Sequence, residues 1–391
     1  MKRSRMALLW VSAVVAAVLV GSGLVARVGA ADGGYRQAVL FSEVLSLVTD
    51  NYVDPVDTTK LLGGAFEGML GGLDARGAYL TPAEVEAWRR GSDGANVGPG
   101  LAVLKAFGSL QVVAVDAGSP AAEAGIQPGD QIRRIAGNSL HDLSLDQASR
   151  LLLGPAGSKV ACDVLHSREG FRAETIDLER RASGGPASEL RREESTAVLV
   201  LRDVRRVDAD RLSKELEKLG ADGAQRLLVD ARNLAEPDVR QAEKIAGLLV
   251  DGPLFRLVDR KGVEIERLAA APGAKRAWTG DVALLVNGAT AGAGEGLARL
   301  LQARGLAKVY GEDTYGLGTE VELIPLPDGS ALLLPTRMWT VASGEGWIDG
   351  GVKPDLAVEG SGRTLEEREA DQLRRAIEAF ATVPKAAPEA A

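Results

Sequence analysis

Asp116-Ala117-Gly118-Ser119-Pro120-Ala121, followed by Ala124-Gly125-Ile126 and Gly129-Asp130-Gln131-Ile132 and closed by Ile135-Ala136-Gly137, is the stretch on which the fold turns. Gly125 and Gly129 suit turn positions that need backbone freedom, Asp130 can accept from turn amides, and Ile132 and Ile135 fall at buried positions of a strand. Further strand patterns run from Leu110 to Val115, Gln131 to Ile135, Lys159 to Leu165 and Ala173 to Leu178, with one helical pattern from Ser144 to Leu153. Cys162, the only cysteine, lies in an alternating run. It has no partner for an intrachain disulfide and reads as a small buried apolar residue. The glycine-rich segment Gly91 to Gly100 and the stretch Ser183 to Ser188 bound this β-rich domain, placed at residues 94–181.

Upstream, Val39, Leu40, Val44, Leu47 and Val48 recur at helical spacing, and residues 33–92 read as a helical N-terminal region. Thr81 with Pro82 and Glu84 has the form of a helix start. Before it, Lys2, Arg3 and Arg5 precede an apolar run from Met6 to Val20 and the small residues Val28-Gly29-Ala30. Residues 1–30 have the layout of a secretory signal. The run also stretches from Ala7 to Ala26, about 20 residues and long enough to stay as an inner-membrane anchor. Either outcome places the body outside the cytoplasm, periplasmic or secreted.

Downstream, strand and helix patterns alternate: Ala197 to Leu201, Asp208 to Leu219, Arg226 to Asp230, Val239 to Leu249, Val282 to Val286 and Gly294 to Ala303. Alternation of this kind predicts an α/β core over residues 190–360. Residues 361–391 read as a C-terminal helix and a disordered tail. The 391-residue chain, 46% apolar and 26% charged, has the composition of a multi-domain globular protein. A net charge of −8 with interspersed signs disfavours nucleic acid, which needs a basic face. No H-E-x-x-H and no Cys/His cluster is present, so no metal or cofactor is expected.

The run Asp116 to Gly137 resembles the bacterial PDZ domain family. Such domains add a peptide as a strand to a sheet edge, with a glycine-rich loop donating to the terminal carboxylate. The resemblance places that loop at Gly98-Pro99-Gly100-Leu101, where Pro99 lacks one N–H donor. It places the side-chain pocket against the helix carrying Leu145, Ala148 and Leu152. Ordinary core packing is the plainer role for these three.

The C-terminal half resembles the carboxyl-terminal processing, or tail-specific, serine peptidase family. The likeness rests on Leu227-Leu228-Val229-Asp230-Ala231-Arg232-Asn233, Val286-Asn287-Gly288 through Glu295, Val309-Tyr310-Gly311-Glu312 through Gly318, and Gly350-Gly351-Val352-Lys353-Pro354-Asp355. It implies a multi-domain α/β fold with a helical N-terminal region, a PDZ domain and a ClpP/crotonase-like core. In that family the nucleophile is the middle serine of G-S-A-S-A-S-E, the base a lysine 25 positions on in F-G-K-G, and a glutamine four further on orients the lysine. Here the motif reads Gly288-Ala289-Thr290-Ala291-Gly292-Ala293-Gly294-Glu295. Anchored on Glu295, the three positions are Gly292, Leu317 and Val321, which offer no nucleophile, base or orienting amide. The family's oxyanion loop D-L-R-N-N-P-G-G becomes Asp230-Ala231-Arg232-Asn233-Leu234-Ala235-Glu236-Pro237. A carboxylate at Glu236 would repel a developing oxyanion, and Pro237 removes a donor.

Thr290 is the only hydroxyl left in the motif, with a conformational or capping role as its plainer reading. His141 and His166 both fall in the PDZ-like domain and read as surface polar residues. The expected protein is therefore an exported pseudo-protease. It binds unfolded or extended peptides or protein C-termini, as scaffold or regulator, with an active peptidase relative as a further partner, and an oligomer is compatible with the sequence. The rival expectation is a divergent active serine-type endopeptidase.

Overall fold

The computed structural model describes residues 34–90, 97–141, 143–167, 170–182, 184–271, 273, 275–348 and 350–382. The predicted signal over 1–30, most of the glycine-rich linker and the tail beyond 382 lie outside the described residues. The chain divides between Ala65 and Phe66 into two compact units. In the first, residues 34–51 are helical and the helix Thr58–Gly71 begins. Phe41, Val44, Val48, Leu61 and Leu62 line an apolar groove of about 550 Å³ between these two elements.

The second unit holds the PDZ domain and the α/β core. Its first helix after the boundary, Pro82–Arg90, starts as predicted: the Thr81 N–H and hydroxyl donate to the Glu84 carboxylate, and the Glu84 N–H donates to the Thr81 hydroxyl. The PDZ sheet runs Leu101–Ala106, Ser109–Val115, Gln131–Ile135, Lys159–His166, Arg172–Glu179 in spatial order, with Leu101–Ala106 at one edge. The helix Leu145–Leu152 covers it, opened by a reciprocal Ser144/Gln147 capping box. Gly125 and Gly129 take φ of 80° and 96°, which explains the glycines there. The Asp130 carboxylate accepts from the Gln127 and Ser167 N–H groups.

The core contains a six-stranded sheet in the order Leu356–Ala357, Ala307–Gly311, Asp281–Val286, Arg226–Asp230, Thr196–Leu201, Ser188–Glu193, parallel except for its last pair. Both of its faces are covered, which is why its strands read as apolar runs rather than alternations. Leu227, Val229, Leu284 and Val286 pack with Leu297 and Leu301 of the helix Ala293–Ala303. Leu228, Ala283, Leu285 and Tyr310 pack with Ala376 and Phe380 of the C-terminal helix Leu365–Thr382.

A second, antiparallel sheet was not foreseen. It joins Ala78–Leu80, Ala331–Val341, Pro253–Asp259 and Glu264–Ala269, with Thr319–Pro325 also paired to Ala331–Val341. The region expected to be helical thus also contributes the strand Ala78–Leu80, because Ala78 and Leu80 bury against Ala331 and Leu333. The helix expected from Val239 to Leu249 is a 3-10 turn, Val239–Ala242, followed by a short α-helix, Glu243–Gly247.

Candidate functional site

Two loops leaving the C-terminal ends of parallel strands build the site, the position where open α/β sheets place ligands. The first leaves Arg226–Asp230. Arg232 makes a buried pair with Asp230 at 2.7 Å and donates to the Glu369 carbonyl and the Gln372 side chain of the C-terminal helix. Asn233 sits at φ 61°, and its side chain is held by Asn287 at 2.8 Å and Glu369 at 3.0 Å. The second loop leaves Asp281–Val286 and carries Asn287 to Gly292. The loops meet in a two-stranded parallel ladder that pairs Ala235 with Ala291 and Glu236 with Gly292.

Gly292 stands at the start of the helix Ala293–Ala303 with φ 58° and ψ −108°. A Cβ there would lie 2.0 Å from the Glu236 carbonyl oxygen and 2.9 Å from the Pro237 Cα. The first loop therefore touches the backbone at this position. The Glu236 carboxylate is turned away: it pairs with Arg205 at 3.0 Å and accepts from the Asp238 N–H. Burial raises its pKa, with Arg205 opposing. It is the Glu236 backbone carbonyl, rather than the carboxylate expected to face the site, that meets Gly292.

Glu295 is fully buried, and its carboxylate accepts from the N–H groups of Gly292, Gly316 and Leu317 and from the Thr314 hydroxyl. One side chain thus fixes the Gly292 backbone and the segment carrying Leu317. Leu317 is 3% exposed and belongs to the apolar cluster of the PDZ domain, together with Ala291. Val321 is half-buried on the strand Thr319–Pro325, beside a bulge. Thr290 is fully buried, its hydroxyl donating to the Ala231 carbonyl at 2.9 Å and accepting from the Asn287 N–H at 3.0 Å. That is a conformational role. A cleft of about 560 Å³ separates this site from the PDZ sheet, lined by Leu104, Val113, Asn233, Asn287, Tyr315 and Gln372.

In the PDZ domain the loop Gly98-Pro99-Gly100-Leu101 leads into the edge strand. The Pro99 carbonyl accepts from the Ala121 N–H at 3.0 Å, and Gly100 takes φ 82° with the Ser119 side chain where a Cβ would stand. Leu145, Ala148 and Leu152 are all buried in the domain core. His166 corrects the reading of both histidines as surface groups. It is 6% exposed, its Nδ1 is 2.9 Å from Asp130, and its place as an inward residue of Lys159–His166 buries it. His141 is exposed. Burial pushes the Cys162 thiol up to about 12.

Glu295 and Tyr315 were missed as site residues. The motif marked Glu295 only as an anchor and nothing in the spacing marked Tyr315, because what each holds is decided by loops meeting in space.

Residues 195–358 match Peptidase family S41 and residues 111–165 match the PDZ domain. A probable CtpA-like serine protease of Staphylococcus aureus (strain COL) is 27% identical over 319 residues, covering 81% of this chain and 64% of that protein. The carboxy-terminal processing protease CtpA of Bacillus subtilis is 28% identical, covering 80% of this chain and 67% of that one. The photosystem II D1 C-terminal processing protease superposes with a TM-score of 0.61 at 23% identity, covering 86% of this chain and 96% of that one, a likeness of fold. Fold and matches together define a PDZ-bearing peptidase scaffold. Residues 195–358 belong to Peptidase family S41, and the chain is similar to C-terminal processing peptidases. The aligned part spans 64% of the length of the staphylococcal relative.

Proposed function

We propose that this protein is an exported pseudo-protease that binds extended peptides or protein C-termini through its PDZ domain without cutting them, as scaffold or regulator. The observation that carries the reading is the closure at Gly292. The family's nucleophile position has no side chain and no room for one, with the Glu236 carbonyl 2.0 Å from where a Cβ would stand. Two further features support it. The base position holds Leu317 in an apolar cluster, where a charged ammonium would be desolvated without a partner. The hydroxyl of Thr290 is engaged with backbone and fully buried, so it is poorly placed to attack a carbonyl.

Export rests on the basic, apolar and small-residue order of residues 1–30. Among the described residues no helix is long and apolar enough to cross a membrane. Incubating the full chain with an unfolded protein substrate, beside a Thr290→Ala preparation, tests the loss of activity. The reading expects no fragments from either. Fragments that vanish with Thr290→Ala would make the protein a divergent active endopeptidase.

A further inference from the structure

The edge strand Leu101–Ala106 has a fixed outward face. Its two-residue turn Phe107-Gly108, at φ 50° and 73°, makes Ala106 and Ser109 a hydrogen-bonded pair. The next pair, Lys105 and Leu110, therefore directs its backbone groups away from the shared ladder. Leu110 accordingly pairs on its other side with Ile132. The outward Lys105 carbonyl is a rung that a strand added to this edge would use.

That rung is taken. The Tyr315 hydroxyl donates to the Lys105 carbonyl at 2.9 Å. Tyr315 stands two residues before Leu317, and Leu317 shares a buried cluster with Leu145, Ala148 and Leu152, the residues assigned to the groove wall. The start of the groove helix is tied down as well. The Leu145 N–H donates to the Ala75 carbonyl at 2.8 Å, and Arg76 grips Asp146 through two nitrogens at 2.7 and 3.0 Å. A further Arg76 nitrogen reaches the Thr319 carbonyl at 2.6 Å, and the Thr319 hydroxyl donates to Asp74 at 3.0 Å. Strand wall and helix wall are thus both fastened to the core segment 315–319.

We propose that Tyr315 and Leu317 are a built-in occupant of the far half of the PDZ groove, so that a long extended peptide binds only by displacing Tyr315 from Lys105. This rests on the peptide-binding reading. An added strand pairs residue for residue, so at most about three ligand residues lie along Leu101 to Val103 before the blocked rung. The closed chain then selects the last few residues of a C-terminus, and gains the rest of the edge only when the core segment withdraws.

The test uses the full chain and Tyr315→Phe. Each is titrated with an apolar free-acid tripeptide and with an octapeptide ending in the same three residues, and hydrogen exchange over residues 101–106 is followed without peptide. The variant should bind the octapeptide about two- to tenfold more tightly, the span expected for one lost hydrogen bond. The tripeptide should be unaffected, and exchange at the edge strand should quicken. Equal affinities of both proteins for both peptides, with unchanged exchange, would overturn the occupant while leaving peptide binding intact. Failure of both proteins to bind both peptides would overturn the peptide-binding reading and this gate with it, a result told apart from the first by the absence of any binding.

Discussion

Replacing Gly292 with alanine probes the closure of the site at one atom. Two costs add. Gly292 has φ 58°, a backbone region that costs an L-residue about 1–3 kcal/mol. The new Cβ would sit 2.0 Å from the Glu236 carbonyl oxygen, about 1.5 Å inside an ordinary non-bonded separation of about 3.5 Å. Relieving that overlap means moving the strand Ala235–Glu236, which is held by its ladder to Ala291–Gly292 and by the Ala291 N–H bond to the Leu234 carbonyl at 2.9 Å. Overpacking of this kind costs about 1–3 kcal/mol. Gly292→Ala should therefore lose about 2–6 kcal/mol in equilibrium urea unfolding. Gly288→Ala is the control: its Cβ would meet only the Asp313 carbonyl oxygen, at 3.8 Å, and its φ is not positive. If the two variants were equally stable, the Glu236 loop would be free to withdraw, and the argument that the nucleophile position is closed would fail.

Gly292→Ser combined with Leu317→Lys and Val321→Gln should return the family's side chains without robust proteolysis, since the same overlap persists; strong cleavage of an unfolded substrate by the triple variant would contradict this. Leu317→Lys alone should destabilise the fold by about 1–3 kcal/mol through an unpaired buried charge, and an unchanged melting temperature would mean an open, wet pocket. Glu236 has its pKa raised by burial, so the stability tied to its proton is present below the ordinary value of 4.5 and is lost as pH rises through the folded value. Glu236→Gln should accordingly gain on the native chain between pH 4 and pH 7 in melting temperature, and a constant or opposite difference would refute the assignment. Pro99→Leu supplies an N–H to the carboxylate loop and should tighten free-acid peptides at least about tenfold, with no gain for amidated ones.

The PDZ domain was legible because its turns demand particular residues: Gly125 and Gly129 occupy left-handed backbone, and Asp130 holds the turn between them and the buried Ile132. The parallel core was legible because strands covered on both faces are continuously apolar, as in Leu227 to Val229. The antiparallel sheet was not, since a strand such as Glu264–Ala269 alternates charge with apolar groups on a half-exposed edge and resembles surface loop. His166 was misread because it is the last inward residue of Lys159–His166 and its buried ring is met by the Asp130 carboxylate, 36 residues away in sequence. The closure at Gly292 involves a main-chain carbonyl of Glu236, which no side-chain pattern reports. Arg76 gave no signal either, because its partners Asp146 and Thr319 lie in two other parts of the fold.

The central claim, binding without cleavage, can be tested in a single sample. The full chain is mixed with an extended free-acid peptide below saturation, binding is followed by fluorescence anisotropy, and the peptide is then recovered and weighed by mass spectrometry. The account predicts a saturable signal and a peptide of unchanged mass. A shortened peptide, or no binding at any concentration, would contradict it.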